Sequence, residues 1–235
     1  MHARRLLCPL LVAIAAFLPA SPARAGTIVR FDTTVADFDV ELFDTAMPIT
    51  VANFLSYVNA GTYTSTFIHR STTYNPADIQ ILQGGGFVLS GSTIESVVTN
   101  PPIVLESGTA TNVRGTIAMA RGAATDSATS QFFFNVQSNP ALDGNYAVFG
   151  RVVGAEGLAA LDAIGLVPVY DVSAQLGAPF GELPLTAPSL QPSSLVVVNG
   201  VAVVPEPSTM LLAVVGLAAA ALHRRRPSHA DMPSA

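Results

Sequence analysis

The chain has 235 residues, a formal net charge of −5, hydrophobic residues at half of its positions and one cysteine. That length allows one or two domains. Residues 26–204 carry five arginines and no lysine against fourteen acidic residues, a net of −9, which excludes the phosphate-neutralising surface that nucleic-acid affinity requires. Cys8 lies in the N-terminal segment, so the remainder has neither a disulfide framework nor thiolate chemistry.

Taken in chain order, residues 1–25 open with Arg4 and Arg5, continue as an apolar run over 6–18 and end on Ala23-Arg24-Ala25. That is the pattern of a secretory signal peptide. Residues 27–31 and 38–43 predict strands. In the second, Phe38, Val40 and Leu42 alternate with Asp39 and Glu41, as a half-buried strand requires. A helix opens over 45–48, with Thr45 or a neighbour as cap and Pro48 in its first turn. Val51, Phe54, Leu55 and Val58 then fall on one face, and Gly61 closes the helix. Strands follow over 113–120, 131–136 and 147–153, with a short helix over 156–164. The stretch 168–192 loses periodicity and reads as an extended loop. Residues 195–198 predict a closing strand, which 201–204 either extend or leave for a linker. No internal repeat is present, and 26–204 is long enough for one domain with a sizeable core.

Pro205-Glu206-Pro207-Ser208-Thr209 precedes an apolar run over 210–222, then Arg224, Arg225 and Arg226 and a polar tail over 227–235. At 1.5 Å per residue the run spans roughly 20 Å of a hydrocarbon core near 30 Å. It needs flanking residues, from about 208, to cross a bilayer. The arginines would stay on the cytoplasmic side. This end resembles the PEP-CTERM sorting signal. The resemblance implies export to the periplasm, envelope or extracellular matrix, transient inner-membrane anchoring, and cleavage near Pro-Glu-Pro by an exosortase-type membrane protease.

Within the middle, Phe67-Ile68-His69-Arg70, Gln83-Gly84-Gly85-Gly86-Phe87, Gly115-Thr116-Ile117-Ala118-Met119-Ala120-Arg121, Ser130-Gln131-Phe132-Phe133 and Val148-Phe149-Gly150 occur in order. No single piece is specific, but the ordered set resembles the cyclophilin-type peptidyl-prolyl isomerases over about residues 27–204. The resemblance implies a mainly β fold, a closed eight-stranded antiparallel barrel capped by two helices. It implies catalysis on proline-containing polypeptides by Arg70, with Gln83 orienting that arginine and Gln131 bonding the substrate backbone. The proline pocket maps onto Ile81, Phe133, Leu142 and Tyr146, with Met119 nearby, and Ala120 and Arg121 map onto positions contacting the substrate chain.

The chemistry suits those residue types. The isomerising amide has a barrier of about 18–20 kcal/mol because of its partial double bond. No bond breaks, so no nucleophile, cofactor or metal is needed. The catalyst must favour the twisted amide over both planar forms, and a permanently charged fork of donors near the prolyl nitrogen does so.

Two departures stand out. Residues 71–82, between the arginine and its glutamine, are about five longer than the family's loop, and this places Gln80 where an aromatic would form a pocket wall. Tyr74 is a candidate replacement. Ala141 stands where other members carry tryptophan or phenylalanine, which implies weak cyclosporin binding. These departures keep a second reading open, a catalytically weak surface module that binds Pro-containing segments. His69 is the one histidine of 26–204, which argues against a Ser-His-Asp hydrolase and a zinc site. No Asp-rich loop has calcium-binding spacing.

Overall fold

Phe38, Val40 and Leu42 turn inward while Asp39 and Glu41 stay half-buried. The same two-residue period runs round the sheet of the computed structural model, which describes residues 26–73, 79–91 and 93–205. The strands are β1 (Ile28–Thr33), β2 (Phe38–Leu42), β3 (Thr66–Phe67), β4 (Arg70–Ser71), β5 (Ile81–Gly84), β6 (Phe87–Ser90), β7 (Thr93–Ser96), β8 (Thr116–Met119), β9 (Phe132–Asn135), β10 (Val148–Val152), β11 (Val169–Tyr170), β12 (Leu183–Pro184) and β13 (Val197–Val203). Helix α1 (Pro48–Asn59) lies between β2 and β3, α2 (Gly154–Gly165) follows β10, and the single-turn α3 (Ser173–Leu176) follows β11.

The eleven strands of the main sheet are ordered β4-β5-β9-β8-β10-β2-β1-β13-β3-β6-β7, and β11 and β12 pair separately. The sheet closes through the backbone itself. β3 and β4 belong to one continuous segment, which changes partner midway. Phe67 pairs with Val197 of β13 and Arg70 with Gln83 of β5. Between them, Ile68 N–H donates to the Val196 carbonyl and His69 N–H to the Gln83 carbonyl, each at 3.0 Å. Counting that segment once, eight strands form the ring, in agreement with the expected barrel. The β6–β7 hairpin is an addition outside it.

Phenylalanines fill the interior. Phe31, Phe38, Phe54, Phe132 and Phe134 meet at centroid separations of 5.2–6.2 Å, mostly edge to face. Each such buried ring contributes roughly 2–3 kcal/mol of apolar transfer energy. α1 adds Val51, Phe54, Tyr57 and Val58 to this core, and α2 adds Ala160, Leu161 and Ile164. The two capping helices are thus held by the core they close.

The start of α1 differs from the sequence expectation. Thr45 does not cap it, and the N-cap residue, Met47, offers no side-chain bond. Glu106, 57 residues downstream, accepts hydrogen bonds from Ile49 N–H at 3.2 Å and Thr50 N–H at 2.8 Å. A carboxylate suits that end, where unpaired N–H groups and the helix dipole are positive. At the far end the expectation about Gly61 holds. Gly61 N–H reaches the Val58 carbonyl and Thr62 N–H the Tyr57 carbonyl, the paired bonds of a Schellman stop.

The stretch 168–192 is not the extended loop expected. It forms β11, α3, a turn over Ala178–Phe180 and β12. Val172, Phe180, Leu183 and Leu185 gather there with Phe67 and Leu195 in a second, smaller apolar cluster. The strand expected over 113–120 is confined to Thr116–Met119, and the closing strand is longer than expected, one run to Val203. The signal-peptide segment, the apolar run 210–222 and Tyr74 lie outside the described residues. Among the described residues, no helix is long and apolar enough to cross a membrane.

Candidate active site

Strand alternation sorts the candidate residues into two sets. On β5, β8 and β9, Leu82, Ile117, Met119, Phe132 and Phe134 point into the barrel, and Ile81, Ala118 and Phe133 pack outside it with Leu142 and Val148. The outer set floors a cleft of about 570 Å³ lined by Arg70, Thr72, Ile79, Ile81, Gln83, Ala120, Arg121, Phe133, Leu142, Tyr146 and Glu182. The cleft thus joins apolar side chains with the charged groups of Arg70, Arg121 and Glu182.

Eight of the ten sequence-derived candidates line this cleft: Arg70, Gln83, Ile81, Ala120, Arg121, Phe133, Leu142 and Tyr146. Gln131 stands at its edge, where its Oε1 accepts from Gln83 Nε2 at 2.8 Å. Met119 is not brought to the cleft. It pairs with Phe132 and is 2% exposed inside the barrel, because its neighbours Ala118 and Ala120 take the outward positions.

The expected wall at Gln80 is also displaced. Gln80 does not line the cleft, and Ile79 does. Ile79 and Ile81 share one face by the two-residue period, and Gln80 is held by its backbone. Its N–H donates to Asn139 Oδ1 and its carbonyl accepts from Asn139 Nδ2, both at 3.0 Å. Thr72 ties the base of the long loop, donating its hydroxyl to the Ile79 carbonyl while accepting from Ile81 N–H at 3.0 Å. Asn139 also donates to Asn135 Oδ1 at 2.8 Å. The turn Pro140–Leu142 that carries Leu142 follows directly on Asn139.

Aromatic geometry shapes the apolar wall. Phe133 meets Tyr146 edge to face at 5.3 Å. The guanidinium of Arg121 lies over the Tyr146 ring at 5.2 Å, and its Nε donates to the Asn145 carbonyl at 2.7 Å. Arg121 is therefore a wall group, fixed by stacking and backbone bonds.

Arg70 is held by a residue that sequence reasoning missed. Its Nε donates to Glu182 Oε2 at 2.7 Å, across 112 residues. The arginine side chain is 43% exposed and the glutamate 26%, so solvent screening leaves the pair about 1 kcal/mol or less of stability. No local motif in the sequence marks Glu182. A periodic apolar pattern in 168–192 would have revealed a folded segment there, and none is present.

His69, beside Arg70, is 3% exposed and its Nδ1 has no hydrogen-bond partner. Burial lowers its pKa to about 4, and the Arg70 charge pushes the same way. It meets Phe87 edge to face at 4.9 Å. It is a residue of the core, packed on Phe87. Among the described residues, no group of three His, Cys, Asp or Glu side chains is placed to hold a metal.

A barrel closed by one bent segment, with an arginine and an apolar floor on its outer face, defines a cyclophilin-like fold. Residues 28–177 match the family model for cyclophilin type peptidyl-prolyl cis-trans isomerases, and residues 203–226 match the PEP-CTERM protein-sorting motif. The chain belongs to the cyclophilin-type peptidyl-prolyl cis-trans isomerase family and carries that sorting motif at its C-terminal end. It is similar to peptidyl-prolyl cis-trans isomerase A of Dickeya dadantii, 39% identical over 174 residues, covering 72% of this chain and 86% of the relative. The corresponding enzyme of Acinetobacter baylyi is 37% identical over 163 residues, covering 67% of this chain and 81% of the relative. A solved cyclophilin-type isomerase of Cryptosporidium parvum superposes with a TM-score of 0.55 at 23% identity, covering 77% of this chain and 99% of that one. That likeness concerns the fold.

Proposed function

We propose that the chain isomerises X–Pro bonds in exported polypeptides, with Arg70 as the catalytic cation and the Ile81, Phe133, Leu142 and Tyr146 wall as the seat of the proline ring. The observation that carries this reading is the shared cleft, which Arg70 lines together with Ile81, Phe133, Leu142 and Tyr146. A ring seated on that wall brings its amide nitrogen toward Arg70. Donation to the nitrogen lone pair draws it out of conjugation and favours the twisted amide, which is the state that must be bound best. Gln131, held by Gln83, offers a donor and an acceptor to the substrate backbone.

The assay is cis/trans isomerisation of a proline tetrapeptide by the full chain, with Arg70→Ala as control. A loss of at least tenfold in the variant is expected, about 1.4 kcal/mol of transition-state binding. Equal rates in two well-folded proteins reject the role of Arg70. Retained peptide binding with no acceleration by the wild type supports the binding-module reading instead.

The sorting motif supports export, with the apolar run 210–222 as a transient stop for an exosortase-type membrane protease and residues 26–204 as the mature domain. Intact mass of the protein from its native host tests this. Loss of residues 1–25 and of the Arg224–Arg226 tail is expected. Retention of that tail on most molecules leaves a plain anchor.

A further inference from the structure

We infer that Glu182 is a positioning residue for Arg70, holding the guanidinium through Nε so that its terminal amino groups remain available to the twisting amide. The inference rests on the reading of Arg70 as the catalytic cation.

Glu182 is placed by more than its carboxylate. Its carbonyl accepts from Ser71 N–H at 2.8 Å, so its backbone lies against the residue that follows Arg70. On either side of it, Phe180 and Leu183 are buried, at 4% and 0% exposure. Phe180 packs its ring on Phe67 at 6.3 Å and on Phe87 at 4.8 Å. The folded segment after α2 is therefore anchored on the strand segment that carries Arg70, with Phe67 three residues from the arginine. Given those fixed points, a side chain at position 182 must stand beside the arginine.

The contact answers a physical need. Arginine is long, and ordering it at each encounter would cost rotamer entropy at the barrier. A carboxylate at 2.7 Å from Nε orders the side chain beforehand. The bond uses one of five N–H donors, and the pair is partly exposed, so its contribution lies in orientation more than in stability. Gln83, the group expected to orient Arg70, donates its Nε2 to Gln131 Oε1 at 2.8 Å, and Glu182 is the carboxylate that meets Arg70. Glu182 also lies beyond the residues that match the family model, 28–177.

The test uses the full chain and four proteins: wild type, Glu182→Gln, Arg70→Ala and the double variant, with kcat and KM measured separately on a proline tetrapeptide. Glu182→Gln is expected to lower kcat roughly fivefold to tenfold with KM within about twofold. It should have no further effect in the Arg70→Ala background. The same substitution should move the Nε–Hε NMR resonance of Arg70 upfield and speed its exchange. Glu182→Gln within twofold of wild type, with Arg70→Ala impaired, overturns the positioning role and leaves Arg70 in place. Equal losses in both backgrounds indicate a structural effect and also overturn it. A faster Glu182→Gln enzyme means that the carboxylate restrains Arg70, which overturns it as well. An unimpaired Arg70→Ala removes the reading on which the inference stands.

Discussion

A Cβ at Gly86 would lie 2.7 Å from Cδ of Gln131. The bare backbone there is what lets Gln131 reach the cleft edge and accept from Gln83. The neighbouring Gly85 has φ +76° and faces the Ser130 carbonyl, at 2.7 Å from where its Cβ would be. The Gly84-Gly85-Gly86 run is thus a requirement of close packing against Ser130, Gln131 and Phe132, where the chain enters β9. Gly86→Ala should push the Gln131 side chain aside with the fold intact, since the backbone at 86 is not left-handed. Loss of one or two substrate hydrogen bonds predicts a kcat/KM lower by about tenfold. Measurement of kcat/KM together with the melting temperature decides it. Unchanged kinetics would mean that Gln131 does not touch substrate.

His69 makes stability pH-dependent. Its pKa is lowered to about 4 in the folded protein, against an ordinary value of 6.5. Between those values the unfolded chain binds the proton and the folded one does not, so stability rises with pH through that window. The contribution is complete above about pH 6.5 and is lost as pH falls toward 4. A shift of this size corresponds to about 3 kcal/mol. Urea unfolding of wild type and His69→Gln at pH 7, 5.5 and 4 should show a steeper acid loss in the wild type. Parallel pH dependence in the two proteins would exclude a buried neutral imidazole.

The cleft wall offers a sharper test of the long loop. Ile79 lines the cleft and Gln80 does not. Ile79→Phe should therefore add apolar contact with a proline ring and lower KM by roughly threefold, less than one methylene-scale increment of about 0.8 kcal/mol. Gln80→Phe should leave KM unchanged within about twofold or raise it, because Asn139 grips the Gln80 backbone and Gln80 is not among the residues that line the cleft. KM values for a common proline peptide compare the two. A tighter KM in Gln80→Phe alone would place the wall at 80 after all.

How legible this molecule was in its sequence depended on the range of the forces involved. Alternation in Phe38-Asp39-Val40-Glu41-Leu42 and the i, i+3, i+4, i+7 spacing from Val51 to Val58 are local, and the strand and helix they predict are present. Arg70, Gln83, Phe133 and Tyr146 come together because ordered motifs carry them. Contacts made across long separations left no local trace. Glu106 caps α1 from 57 residues away, and Glu182 meets Arg70 from 112. The stretch 168–192 has no period because its buried residues, Val172, Phe180, Leu183 and Leu185, sit on or beside elements only two to four residues long. Met119 departs from expectation for the opposite reason. Its motif suggests a place near the pocket, whereas strict alternation with Ala118 and Ala120 sends it inward.

The position of the domain's end can be tested by truncation. β13 pairs with β1 from Val29↔Val203 to Thr33↔Val198 and with β3 through Val197↔Phe67. Val204 N–H adds a last bond to the Ile28 carbonyl at 2.8 Å. Val198 is fully buried and Val201 nearly so. Residues 26–204 therefore hold every strand of the ring and should unfold cooperatively on their own, with a circular dichroism spectrum dominated by β structure. Ending the chain at Val196 removes β13, exposes the facing edges of β1 and β3, and empties the core of Val198. A ring with one strand missing leaves a row of unpaired backbone groups that invites aggregation, and deleting a buried valine side chain costs about 1.5 kcal/mol or more in transfer energy alone. The shorter chain should be insoluble or lack a thermal transition. A cooperative transition in the chain ending at Val196 would show that β13 is dispensable, and loss of it in residues 26–204 would place the domain boundary beyond Val204.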